Sequence, residues 1–309
     1  MSIDALILNT AVVDIRRPDF DFVLDRVAEG GLALCPTADM PPYSQAEVHR
    51  WLQEGCGTAG GCGNVAPLMA CAGLSVAIGA NLGAGDYEGL DAQGRFFHAC
   101  MAEHGIDLSE IVVHSRLPTG TVFAYDAEQG DRKGLAAFLN ANNDFDLERF
   151  KGAVRRKRPK VVYYMYSGLS ERADANSGRD LAAFMRWCVG QGALTLADSH
   201  TLAGNPGELI RRGCAVEAYR LLDPLLPELD VFFTSSDEAR MIGNTLLDRP
   251  AWCGDPAEDN AVFLEGIARR YWRDRRARLF GVTVKDGAFA IYRGPNGKVG
   301  DVERVLSPF

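Results

Sequence analysis

Asp14 stands just behind the apolar run Ala5–Leu8, where the end of a strand would offer its carboxylate to a ligand. An ionised carboxylate accepts hydrogen bonds from hydroxyl groups, although a solvated turn aspartate would look the same in isolation. Further on, Ala59-Gly60-Gly61-Cys62-Gly63-Asn64-Val65-Ala66 is a glycine-rich turn that opens a helix. Glycines there let a ligand approach the backbone, and free N–H groups at a helix start bind polar oxygens. Asn64 falls in the first helical turn, with an amide that can both donate and accept. Glycine-rich turns also serve packing alone, so this pattern needs support from the rest of the chain.

Other chemistry is poorly supported. Asp198-Ser199-His200 has the composition of a hydrolase triad, but no Gly-x-Ser-x-Gly elbow accompanies it. The eight cysteines include no Cys-x-x-Cys pair, and His49, His98, His104 and His114 show no metal spacing. Scattered cysteines of this kind suit reduced, buried positions and a cytoplasmic protein. Arg155-Arg156-Lys157-Arg158 and the cluster 269–278 read as solvated faces rather than a nucleic-acid surface.

The elements that must position Asp14 and the glycine turn alternate between strand and helix. Apolar runs at 5–8, 75–78, 111–113, 161–166, 193–197, 231–234, 279–284 and 289–292 predict strands. Amphipathic stretches at 94–103, 179–189 and 261–275, and a shorter one at about 65–71, predict helices between them. Continuous apolar strands joined by helices imply an α/β fold, a mostly parallel central sheet sandwiched by helices. Two regions interrupt this rhythm. Residues 15–58 are Pro-containing and charged, with a helix expected over 20–28; residues 117–139 read as two strands around a turn at Glu128-Gln129-Gly130-Asp131. Together they predict a small β-rich lid over the carboxyl edge of the sheet, formed by 15–50 and 117–139, on a core of 1–14, 51–116 and 140–309.

The 309 residues carry 33 Lys+Arg against 41 Asp+Glu, a net charge of −8, which argues against a main role in gripping nucleic acid or an anionic membrane. Residues 55–85 carry no charge, yet nine glycines and Pro67 break them, so a turn, a helix and a strand are expected rather than a membrane span. The start of the chain has no basic segment and too short an apolar run for a signal peptide.

In order along the chain, further segments join Asp14 and Gly60-Gly61-x-x-Asn64-x-Ala66. They are Asp91-Ala92-Gln93-Gly94-Arg95-Phe96-Phe97, Glu103-His104-Gly105-Ile106-Asp107 and Pro118-Thr119-Gly120-Thr121. Ala141-Asn142-Asn143-Asp144-Phe145, Ser167-Gly168, Ala197-Asp198, Asp230-Val231-Phe232-Phe233, Asp237-Glu238-Ala239 and Val282-Thr283 complete the series. The series covers nearly the whole chain and resembles the ribokinase-like (PfkB-type) carbohydrate and nucleoside kinases. The resemblance implies ATP-dependent phosphoryl transfer to a hydroxyl of a sugar or nucleoside, with Mg²⁺. By it, Asp14, Gly60, Gly61 and Asn64 would bind substrate, Asn142 would approach from the lid side, and Glu238 (indirectly, through Mg²⁺) and Thr283 would serve the nucleotide. It further implies a cytoplasmic homodimer joined through the lid.

Several residues depart from the family pattern. Ala59 replaces the first glycine of the turn, Ser235 stands where the family's Asn-x-x-Glu has Asn, and Thr283-Val284-Lys285 replaces Thr-x-Gly. The family's Gly-Ala-Gly-Asp turn, which holds the general base, is expected beyond Phe309, so no catalytic residue is assigned and the 309-residue chain is expected to turn over poorly. Gly83-Ala84-Gly85-Asp86 spells the same tetrapeptide far upstream, in the register of a substrate-side loop, and Asp86 is not expected to be the base. The alternative is a non-catalytic relative that binds a sugar or nucleoside in a regulatory or assembly role.

Overall fold

The computed structural model describes residues 2–126, 132–248 and 250–307. The turn expected at 128–131 lies outside the described residues. Fifteen strands occur among them: β1 (Ala5–Leu8), β2 (Ala11–Arg17), β3 (Leu32–Leu34), β4 (Gly57–Gly61) and β5 (Val76–Gly79) come first. Then follow β6 (Asn81–Tyr87), β7 (Val112–His114), β8 (Gly120–Asp126), β9 (Arg132–Phe138) and β10 (Val161–Ser167). The last are β11 (Leu194–Ser199), β12 (Val231–Ser235), β13 (Arg278–Val284), β14 (Gly287–Arg293) and β15 (Glu303–Leu306).

Eight strands form the central sheet in the order β15-β14-β13-β12-β11-β10-β1-β5. From β5 to β13 every pairing is parallel; β14 and β15 add an antiparallel edge. Successive residues of β1 face opposite layers. Leu6 and Leu8 lie in the buried layer that holds the helices Leu147–Lys157, Arg179–Gly190, Ser236–Leu246 and Pro256–Tyr271, while Ile7 lies in the layer of Cys62–Cys71 and Ala92–Glu103. Burial on both faces explains the unbroken apolar runs of these strands. The sandwich thins at the antiparallel end, where Leu279, Tyr292, Val305 and Leu306 are exposed.

The regions expected to form the lid contribute to a second sheet, ordered β3-β9-β8-β2-β4. It is wider than the expected segments 15–50 and 117–139, because it begins at Ala11 and takes in Gly57–Gly61. Along β2 the pleat alternates: Ala11, Val13 and Ile15 enter the core, whereas Val12, Asp14 and Arg16 face a cavity. The helix expected over 20–28 is a single 3-10 turn, Asp21–Val23. Phe20 is held among Phe123, Trp51 and Tyr43, with ring centroids 5.1–5.9 Å away, and the Ala28 N–H bonds across to the Gly204 carbonyl at 2.9 Å. Those tertiary contacts override the local periodicity. Conversely, Gln45–Gln53 is a helix where none was expected, started by a capping box in which Ser44 and Glu47 exchange hydrogen bonds.

Candidate functional site

The chain leaves the central sheet for the lid through two residues, Asn9 and Thr10, with φ of 66° and 24°. Neither is glycine, so this corner is strained and must be held from outside. The Asn9 amide donates to the buried Tyr164 hydroxyl at 3.0 Å, and the Thr10 hydroxyl donates to the Met165 carbonyl at 3.2 Å. The Thr10 carbonyl accepts the N–H of Cys62, the first residue of the helix Cys62–Cys71, at 2.9 Å. Gly61, at φ 59°, brings its backbone so close that an added Cβ would lie 1.8 Å from that carbonyl oxygen. Glycine at 61 is therefore a requirement of the corner.

Beyond the corner a cavity of about 170 Å³ opens between the two sheets. Thr10, Asp14, Arg16, Thr58, Gly61, Asn64, Tyr166 and His200 supply its polar side; Val12, Leu32, Val122, Leu135, Ala137, Leu139 and Leu169 supply an apolar wall. Asp14 pairs in register with Thr58 on the neighbouring strand. Its carboxylate lies over Gly60, where an added Cβ would come within 2.8–2.9 Å of its atoms. Four of the residues singled out in the sequence, Asp14, Gly60, Gly61 and Asn64, are thus brought together.

The cavity floor comes from two strand ends that the sequence named, at Ser167-Gly168 and Ala197-Asp198, without assigning them to the site. Tyr166 has φ 58°, at an irregularity between Tyr164 and Ser167 in the β10–β11 pairing. Its N–H donates to the Asp198 carboxylate at 2.6 Å, and the Tyr163 hydroxyl donates to the same carboxylate at 2.8 Å. The Tyr166 ring meets His200 edge-on, with centroids 4.6 Å apart. Burial, with the negative charge of Glu238 adding to it, pushes the Asp198 carboxyl up to about 7. Burial and the Asp198 charge push the Tyr166 phenol up to about 12, against the opposing hydrogen bond to Asn64.

Glu238 and Thr283 form a separate cluster at the ends of β12 and β13. Ser235 caps the helix Ser236–Leu246, and its backbone N–H donates to Glu238 Oε2 at 2.9 Å. The Thr234 hydroxyl donates to the same oxygen at 3.2 Å, and the Thr201 hydroxyl to Glu238 Oε1 at 2.9 Å. Exposed Thr283 pairs with Ser235 in register and donates its hydroxyl to the Thr234 carbonyl at 3.2 Å.

Asn142 does not line the cavity. It is fully buried, its amide donates to the carbonyls of Ala11 and Leu139 at 2.8 and 3.1 Å, and its oxygen accepts the Ala11 N–H at 3.2 Å. It fastens the first lid strand to the turn after β9. Gly83-Ala84-Gly85-Asp86 lies on β6, with Asp86 exposed and outside the cavity lining. Its glycines serve close packing: a Cβ on Gly83 would lie 2.3 Å from the Asp91 carboxylate. Among the described residues no group of three His, Cys, Asp or Glu side chains is placed to hold a metal ion, and no helix is long and apolar enough to cross a membrane.

No family model and no curated protein matches the sequence. Solved structures do match. Adenosine kinase from Anopheles gambiae, in complex with P1,P4-di(adenosine-5) tetraphosphate, superposes with a TM-score of 0.66 at 18% identity, over 100% of this chain and 84% of that one. The fold is ribokinase-like. Adenosine kinase from Schistosoma mansoni with 2-fluoroadenosine shares it at a TM-score of 0.64 and 14% identity, covering 99% of this chain and 81% of that one. Fructokinase from Xylella fastidiosa shares it at 0.58 and 20%, covering 96% and 77%. In a ribokinase-like frame, the Asp14 cavity lies under the lid, and the Glu238 cluster lies farther along the carboxyl edge of the central sheet.

Proposed function

We propose that this chain binds a sugar or nucleoside in the cavity under the lid and serves ATP-dependent phosphoryl transfer to one of its hydroxyls. The observation that carries the reading is the Asp14 carboxylate, laid over Gly60 in a cavity shared with Asn64 and lined also by apolar residues of the lid. A carboxylate accepting hydroxyl hydrogen bonds, among apolar side chains, matches the mixed polarity of a ribose or hexose ring. Asp14 and Asn64 orient the substrate, and the lid excludes water from it.

ATP would approach the strand ends at Glu238 and Thr283. Mg²⁺ neutralises phosphate charge when it arrives with the nucleotide. The oxygen-only set of Glu238, Thr234 and Thr201 suits such a cation, and since both Glu238 oxygens already accept hydrogen bonds, Glu238 acts on it through water. Thr283 would contact the nucleotide beside it. A homodimer joined through the lid belongs to the same reading, and sedimentation velocity tests it.

A second reading, ligand binding without turnover, is favoured by the placement of Asp86 on a strand outside the cavity lining. Calorimetry with sugars and nucleosides, followed by an ADP-release assay with ATP and Mg²⁺, separates the two. Binding with ADP release supports the kinase; binding without it supports the second reading; no binding by any member overturns both.

A further inference from the structure

Two adjacent arginines on β2 are treated differently by the fold. The pleat sends Arg17 toward the core side, where it pairs with Asp19 at 2.7 Å and its guanidinium lies 4.7 Å from the centre of the Trp51 ring. It sends Arg16 to the opposite face, into the lining of the lid cavity. There its guanidinium is exposed and has no hydrogen-bond or ion-pair partner in the described structure. The backbone that presents it is fixed on both sides: Arg16 pairs with Ala124 of β8, and its N–H donates to the Cys56 carbonyl at 2.9 Å. A guanidinium with five donors, presented by an interior strand of the lid over an apolar wall, is organised for a planar or tetrahedral oxyanion.

We propose that Arg16 is a specificity-determining residue, and that the substrate of this site is a polyol bearing an anionic group, a carboxylate or a phosphate ester. This rests on the reading of the cavity as a polyol site. Asp14 and Arg16 are two residues apart on one face of an extended strand, so their side chains start about 7 Å apart. That spacing suits a chain of five or six carbons with hydroxyls at Asp14 and the anion at Arg16. The same pair works by exclusion. An anion placed at the Asp14 end would meet like charge, which sets the orientation of the ligand as well as its class. His200 borders the same cavity.

Calorimetry without nucleotide tests this with four probes: D-gluconate, D-fructose 6-phosphate, D-fructose and adenosine. One of the anionic probes is expected to bind at least about tenfold more tightly than both neutral ones, with the preference shrinking as salt is raised. Gluconate and fructose 6-phosphate distinguish carboxylate from phosphate as the anion. Arg16→Gln, at an exposed position where folding is checked by circular dichroism, should remove that preference, while Arg16→Lys should keep part of it. Failure of both anionic probes to bind, equal or tighter binding of a neutral probe, or a preference that survives Arg16→Gln overturns the assignment. Adding ATP and Mg²⁺ separates it from the kinase reading: Arg16-dependent binding without ADP release upholds the anion site and removes the kinase, whereas turnover of fructose or adenosine, with the anionic probes inert, does the reverse.

Discussion

The Asp198 carboxylate and the Tyr166 backbone form a 2.6 Å hydrogen bond that ties the end of β11 to a tyrosine in the left-handed region. Without that acceptor, a bulky residue at φ 58° would relax toward ordinary strand geometry, and its ring would leave the cavity floor. Asp198→Ala should therefore weaken binding of the cavity ligand more than Asp198→Asn, whose amide oxygen can keep the Tyr166 contact. Titration of both variants with the tightest-binding sugar or nucleoside checks the order.

The same carboxyl makes stability depend on pH. Burial raises both Asp198 and Asp174 to about 7 when folded, whereas unfolded aspartates titrate near 3.9. Between about pH 4 and 7 the folded chain holds protons that the unfolded chain releases, so this contribution is complete below about pH 4 and is lost as pH rises through 7. Asp4, held low by the Lys160 ammonium and Ser75, and Asp144, held low by Arg172, act oppositely and only at more acid pH. The urea midpoint should be higher near pH 5 than near pH 8, and Asp198→Asn should reduce the difference. A midpoint that rises steadily to pH 8 would contradict this.

Gly60 and Gly61 should fail in different ways. An alanine methyl at 60 meets the Asp14 side chain first, so Gly60→Ala should displace the carboxylate and weaken polyol binding by about tenfold or more with a small change in melting temperature. At 61 the methyl would strike the Thr10 carbonyl at 1.8 Å from a left-handed backbone, and Gly61→Ala should prevent or badly impair folding. Thermal melts alongside calorimetry distinguish the two.

Asn142→Ala should cost about 2–3 kcal/mol of stability, since it strands the N–H and carbonyl of Ala11 in the interior. Asp14→Ala should instead leave the urea midpoint nearly unchanged while lowering affinity at least about tenfold. Equal effects on affinity from both would make Asn142 a ligand contact.

At the upstream tetrapeptide, Asp86→Asn should leave any turnover within about twofold of the parent, as expected of an exposed surface change. Gly83→Ala should lower stability by about 1–3 kcal/mol, through crowding of the buried Asp91–Thr119 pair. Loss of activity in Asp86→Asn, with stability intact, would make it catalytic.

The central sheet was legible because strands buried on both faces, such as Val161–Ser167 and Val231–Ser235, write their environment as continuous apolar runs. The lid was harder to read. Gly57–Gly61 has almost no side chains and becomes a strand only by pairing with β2, a long-range event. The helix Gln45–Gln53 did carry a signal, Ser44-x-x-Glu47, that a closer reading of capping residues would have found. Asp14, Gly60, Gly61 and Asn64 were visible through residue type and spacing. The part played by Tyr166 was not, nor was that of Asp198, although Asp198 was noticed, because a left-handed tyrosine and its acceptor depend on the register of β10 against β11.

The pairing of the lid strands also governs when the lid can form during synthesis. β2 pairs with β8, and β3 with β9, so each of these bonds joins the first excursion from the core to the second. Between the two, the chain returns to build β5, β6, the helix Ala92–Glu103 and β7. On the ribosome, β2 can pair early with β4 on one edge only; its other edge, and β3, lack their partners until β8 and β9 follow. Through that interval Val12, Val13 and Ile15 are open to chaperones or to another nascent chain, and a pause in translation just before Gly120 would prolong the exposure.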